Sequence, residues 1–201
     1  LYGTIRNWIG FENIALMLYD DAALIEEMVE TFCVLSCNVI QKACREIRFD
    51  FASGWEDICF NSGPIISPAM FNKIVVPRYK RITDILITRG ITTIFTDCDG
   101  NINPLVDSFL DGGINTMFPV EVHGGTDPVA LRKKYGKKIK IQGGVDKMVL
   151  LKGKKEIDNE LEKLRGIVEE GGVIPHVDHR VQADVQYKNY LYYQENSLTS
   201  N

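Results

Sequence analysis

The chain has 201 residues, 45% of them hydrophobic and 25% charged, with a formal net charge of −4 and a pI of about 5.5. That is ordinary globular composition, long enough for residues 1–201 to bury a core as one domain. The acidic balance, with no Lys/Arg block of the kind used on phosphates, argues against a nucleic-acid or anionic-membrane partner. No apolar run reaches the ~18 residues of a membrane span.

The most basic stretch, "KKYGKKIK" (Lys133–Lys140), reads as a solvated helix end running into a strand. Five cysteines at 33, 37, 44, 59 and 98 show no tight pairing pattern, which points to a reducing, cytoplasmic setting. The chain begins at Leu1 and not at Met, so a piece of a longer protein is the expectation.

In chain order, apolar spacing predicts a helix over about residues 20–45, with Leu24, Met28, Phe32 and Leu35 on its core face. Cys33, Cys37 and Cys44 share a face of that helix and read as a buried stripe. "RFDFAS" (Arg48–Ser53) is a short strand. Ser67 caps a helix with Pro68 at its first position, running to about Arg89 with a kink at Pro77 and a stop at Gly90. "ITTIFT" (Ile91–Thr96) is a strand, followed by a helix over Asn103–Leu110 and a strand at "INTMFPV" (Ile114–Val120).

Asp127 caps a helix that begins at Pro128 and ends near Tyr135. "KIKIQG" (Lys138–Gly143) is the next strand. Glu156 to Glu170 is amphipathic, with Ile157, Leu161, Leu164 and Val168 on one face. "VIPHV" (Val173–Val177) is the last strand, Val185–Gln194 the last helix, and the tail from Asn196 is expected to fray. Tyr190, Tyr192 and Tyr193 on that helix read as packing.

Strand then helix, repeated five times, means an α/β fold with a parallel sheet covered by helices. Two closures fit: an open doubly wound sheet, or a (β/α)8 TIM-type barrel present as about five β/α units. In both, chemistry belongs at the carboxyl ends of the strands. Polar residues gather there: Asp97-Cys98-Asp99-Gly100-Asn101, Glu121-Val122-His123, Gly143-Gly144-Val145-Asp146 and His176-Val177-Asp178-His179-Arg180.

At these ends the chain resembles the uroporphyrinogen decarboxylase superfamily. The resemblance is carried by "GPIISPAMFNKIVVPRYKRI" (63–82), "DGNINPLVDSFLDGGINTMFPVEV" (99–122), "LRKKYGKKIKIQGGVDK" (131–147) and "VDHRVQADVQYKNYLYY" (177–193). It implies the C-terminal part of a (β/α)8 barrel. That superfamily holds cofactor-free porphyrinogen decarboxylases and cobalamin-dependent methyltransferases.

The methyltransferase branch holds zinc on a His-x-Cys-Gly-Asn motif and a later Cys. These positions fall here on Asp97, Asp99, Gly100, Asn101 and His179, so the ligand types change from nitrogen and sulfur to mostly oxygen. The decarboxylase branch also places a functional His at His179. Strand alternation puts Asp97 and Asp99 on one side, with His179 on a neighbouring strand end. Asp97, Asp99 and His179 are the expected ligands of a divalent metal, zinc first, with manganese and iron(II) as alternatives. Glu121 is the expected fourth ligand or general base, and His179 carries a catalytic role in both branches.

The resemblance makes Asn101 and Asp146 lining residues of the substrate cleft, and Arg180 is placed to pair with a substrate carboxylate. Each has a plainer counterpart. Asp-Gly-Asn is a good turn, Arg180 suits a surface ion pair, Gly143-Gly144 is a weak phosphate signal, and His123, His176 and Cys98 read as loop or packing residues. The leading expectation is a metal-dependent methyltransferase-like enzyme. It would act on a small molecule, with methylcobalamin or another corrinoid as co-substrate and a corrinoid carrier protein as partner. A porphyrinogen decarboxylase and a non-catalytic corrinoid- or porphyrin-binding module are the alternatives, and a homo-oligomer is open to all three.

Overall fold

The computed structural model describes residues 1–197, so most of the tail expected to fray lies outside the described residues. Three helices come first: α1 (Tyr2–Ile9), α2 (Phe11–Asp20) and α3 (Ala22–Glu46). The periodicity before residue 20 is too short to announce α1 and α2. The left-handed Gly10, at φ 91°, turns one into the other. On α3 the buried face is Ile25, Val29, Cys33 and Cys37, whereas Leu24 and Leu35 stay 40% and 55% exposed. The stripe is rotated by one residue from the expected one because the small thiols let the neighbouring backbone come close. The Cys33 Sγ lies 3.5 Å from the Arg78 carbonyl oxygen.

Strand β1 (Ala52–Trp55) starts four residues later than expected, since its ladder begins only where Ala52 N–H meets the Thr93 carbonyl at 3.0 Å. A tight hairpin, β2 (Cys59–Phe60) and β3 (Gly63–Pro64), follows and was not anticipated. The single kinked helix expected over residues 67–89 is two helices, α4 (Pro68–Ile74) and α5 (Val76–Thr88). Pro77 has no N–H to continue the first into the second. Ser67 caps α4 as expected, its Oγ accepting from Met70 N–H at 3.2 Å.

The remainder follows the sequence closely. It comprises β4 (Ile94–Asp97), a 3-10 turn (Asn103–Leu105), α6 (Val106–Asp111), β5 (Thr116–Phe118), α7 (Pro128–Tyr135) and β6 (Lys140–Val145). A short α8 (Val149–Lys152), α9 (Lys154–Glu169), β7 (Val173–Val177) and α10 (Tyr187–Asn196) complete it. The lysines of "KKYGKKIK" at 133, 134, 137 and 138 are all exposed, as a solvated stretch should be.

The five long strands are parallel and stand in the order β1-β4-β5-β6-β7, each beside its neighbour in sequence. A doubly wound sheet reverses direction at a switch point; this one never does. The fold is therefore α/β, an arc of a (β/α) barrel of five units. Register places Thr96, Met117 and Ile141 in one row, buried under the helices. The alternate row, Trp55, Asp97 and Phe118, faces the concave side. That side is open, with Trp55 40% exposed and Ile174 58% exposed.

One apolar cluster joins α4, α5 and α6 through Phe71, Tyr79 and Phe109. A second sits beneath α8, α9 and α10, around Leu150, Leu161, Leu164 and Tyr193.

Gly143 and Gly144 are not an open phosphate cradle. Gly143 has φ 113°, and a Cβ there would lie 1.8 Å from the Pro119 carbonyl oxygen. Its role is to let β6 touch the end of β5. Gly143→Ala is expected to destabilise the protein by ~2 kcal/mol or more, combining a clash with a strained φ. Gly166→Ala, on the exposed face of α9 with nothing within 4 Å of the new Cβ, is expected to stabilise it by ~0.5–1 kcal/mol. Urea unfolding of the two variants beside the parent measures both signs.

Candidate metal centre at the strand ends

Because the sheet is parallel, every strand delivers its carboxyl end to one rim. Asp97 is the last residue of β4, and Asp99 follows two residues on. Gly100 then takes φ 72°, and a Cβ there would meet the Phe60 carbonyl oxygen at 2.7 Å. Only glycine lets the β4 loop press against the β2–β3 hairpin, which fixes where Asp99 points. Glu121 stands three residues beyond β5, and His179 two beyond β7.

Asp99, Glu121 and His179 converge: one ligand atom from each lies within 4.8 Å of the others. The His179 Nε2 is 3.3 Å from the Asp99 Oδ2. Two ligands on one zinc ion stand roughly 3.4 Å apart, given metal–ligand bonds of about 2.1 Å. The donor set, two carboxylates and an imidazole, therefore fits a divalent ion with small side-chain adjustments and leaves room for a further ligand. Asp97, expected as a ligand, lies outside this group, and Glu121 stands in its place. The end of the strand explains the difference. Asp97 is still in the ladder opposite Phe118, whereas Asp99 is past the strand and free to turn toward the neighbouring loops.

The surrounding charges are organised. Glu121 Oε2 accepts from Gly100 N–H at 2.8 Å, and Oε1 accepts from Lys147 Nζ at 2.9 Å. Burial pushes Glu121 up, but these two donors and His179 outweigh it and hold the carboxyl below its ordinary value. That keeps it ionised, which suits a ligand better than a base. Asp99 is raised by burial, with Asp57 and Glu121 adding to the rise and His179 opposing it. Asp97 is pushed up to about 6, by burial first and then by the charges of Asp99 and Asp57.

Asp178 is fully buried. Its Oδ2 accepts from Val122 N–H at 2.8 Å and its Oδ1 from Lys147 N–H at 3.0 Å. The same oxygen is 3.8 Å from Lys147 Nζ. Asp178 and Lys147 were not singled out from sequence as site residues. The signal available was a charged residue beside each proposed one, in "GGVDK" and "VDHR".

The other candidates are placed less centrally. Asn101 Oδ1 is used by its own turn, accepting from Asn103 N–H at 3.2 Å and Nδ2 at 2.8 Å. Asp146 Oδ1 accepts from Met148 N–H at 2.8 Å and lies 3.0 Å from the Nε2 of the exposed His123. Arg180 is exposed, with no side-chain hydrogen bond or ion pair among the described residues. His176 is half-buried beside Phe118, ring centroids 5.4 Å apart, and burial lowers its pKa. Cys98 is 1% exposed and packs in the apolar core.

A cavity of ≈ 580 Å³ opens on Asp99, Gly100 and Glu121 from the side of the β2–β3 hairpin and α1. A (β/α)-barrel arc with a carboxylate–imidazole cluster at its carboxyl rim has the layout of a barrel enzyme. Comparison with protein families agrees: residues 7–193 match the uroporphyrinogen decarboxylase (URO-D) family, and the chain belongs to it. No curated protein matches the chain. Among the described residues, no helix is long and apolar enough to cross a membrane.

The raised Asp97 gives a test with a defined sign. A carboxyl that holds its proton more tightly when folded loses stability as pH rises from about 4, its unfolded value, through about 6. In metal-free protein, Asp97→Asn is expected to stabilise the fold by ~1 kcal/mol at pH 7.5, after discounting for solvent screening of a half-exposed group. The gain should vanish at pH 3.5. Denaturant unfolding at the two pH values checks it; equal effects at both would sink the argument.

Proposed function

We propose that the protein is a divalent-metal-dependent, methyltransferase-like enzyme of the uroporphyrinogen decarboxylase superfamily, exchanging a methyl group between a small-molecule substrate and a corrinoid on a partner protein. The observation that carries this reading is the convergence of Asp99, Glu121 and His179 within 4.8 Å. Cofactor-free decarboxylation of a polycarboxylated substrate asks instead for a basic cleft. Here the rim cation Lys147 is already engaged by Glu121 and Asp178, Arg180 is exposed, and the cavity sets a single guanidinium, Arg6, against Asp57, Asp99 and Glu121.

In this reading Asp99, Glu121 and His179 hold the ion, zinc being the first expectation. Gly100 N–H and Lys147 Nζ orient the Glu121 carboxylate. Asp178 anchors the loops that carry Val122 and Lys147. A bound divalent ion supplies Lewis acidity that lowers the pKa of an acceptor thiol or hydroxyl. The oxygen-rich ligands suit manganese or iron(II) as well as zinc.

Metal-loaded protein is expected to demethylate methylcobalamin in the presence of a thiol or hydroxyl acceptor, followed by the visible spectrum of the corrinoid. Turnover should fall about 100-fold or more in Glu121→Gln and His179→Ala. Absence of metal-dependent turnover across the acceptor panel, or metal-free decarboxylation of a porphyrinogen, would overturn the proposal.

A further inference from the structure

The cavity beside the cluster contains one feature that the metal reading does not use. Arg6, on α1, lines it together with Asp57, Ser62, Asp99 and Glu121. The Arg6 side chain is only 16% exposed. Its guanidinium lies 5.6 Å from the Trp55 ring centroid, a cation–π contact that helps hold the head in place. Of the five donors a guanidinium offers, the described residues engage one, through Nη2 to Asn7 Oδ1 at 3.1 Å. The nearest carboxylate, Asp57, stands off at 3.7 Å, beyond hydrogen-bond length. A largely buried, pre-positioned fork with most of its donors free is matched by a planar anion that binds two of them at once.

We propose that Arg6 is the anchor of an anion subsite, and that the substrate is a small acid whose carboxylate sits on Arg6 while a second oxygen of the same molecule reaches Asp99, Glu121 and His179. The second anchor rests on the metal reading; the first does not. The charges decide the class of ligand. One guanidinium faces three carboxylates, Asp57, Asp99 and Glu121, so the cavity offers one carboxylate a local partner and repels a polyanion. Its ≈ 580 Å³ is the size of a small-molecule site. The absence of sulfur from the ligand cluster favours a hydroxyl or ether oxygen over a thiol as that second donor.

The probe pair is lactate and lactamide, alike in shape and different in charge. Binding is measured by calorimetry on metal-free and manganese-loaded protein, for the parent, Arg6→Met and Arg6→Lys, with thermal melting to confirm that each variant is folded. Manganese affinity is measured alongside. Lactate is expected to bind more tightly than lactamide in the manganese-loaded parent. Arg6→Met should weaken lactate by about 10-fold or more, Arg6→Lys should recover part of that loss, and manganese affinity should stay unchanged. If lactate binds equally in the folded Arg6→Met protein, or binds neither form of the parent, the subsite is wrong. Arg6-dependent lactate binding with no manganese bound would keep the subsite and discard the metal reading.

Discussion

The rim depends on one buried carboxylate. Asp178 is fully enclosed at the end of β7 and takes one backbone N–H from the loop after β5 and another from the loop after β6. A buried acceptor with two donors fixes three loops relative to one another, because leaving any of those groups unpaired costs ~1–3 kcal/mol. Lys147 extends the effect: its backbone belongs to Asp178 and its ammonium to Glu121. Glu121 in turn receives Gly100 N–H from the loop after β4. Four strand ends are joined by one polar chain, and the residues proposed to hold metal hang from it.

This arrangement also explains the division of labour among the acids. Glu121, with two donors and a nearby imidazole, is held ionised. Asp97, half-buried at the strand end and facing other carboxylates, retains its proton to about pH 6. Two acids a few residues from the same rim are separated in proton affinity by what surrounds them. On the side of α1, Arg6 provides a cation that nothing in the described chain fully uses. The site therefore has an oxygen–nitrogen cluster at one end of its cavity and a guanidinium facing into it.

Much of the fold was legible because it is local. Caps at Ser67 and Asp127 and the run "VIPHV" mark element ends by chemistry that acts within a few residues. Strand β1 was misplaced because its limits are set by where β4 lies, which no local pattern encodes. The rotated stripe on α3 has the same cause, since Leu24 and Ile25 are equally apolar and only the approach of α5 chooses between them. At the site, strand alternation located the acids at β4 but not the turn after it. Asp97 was therefore grouped with Asp99, where the structure groups Glu121. Lys147 and Asp178 matter through contacts 31 residues apart in sequence, which spacing cannot show.

The central claim is that Asp99, Glu121 and His179 together hold a divalent ion. The most direct test is metal stoichiometry by elemental mass spectrometry after reconstitution, on the parent and on Asp99→Ala, Glu121→Gln, His179→Ala and Asp97→Asn. The account predicts about one ion per chain in the parent and in Asp97→Asn, with loss in each of the other three. No bound ion in the parent, or an ion retained in the three variants and lost with Asp97, would contradict it.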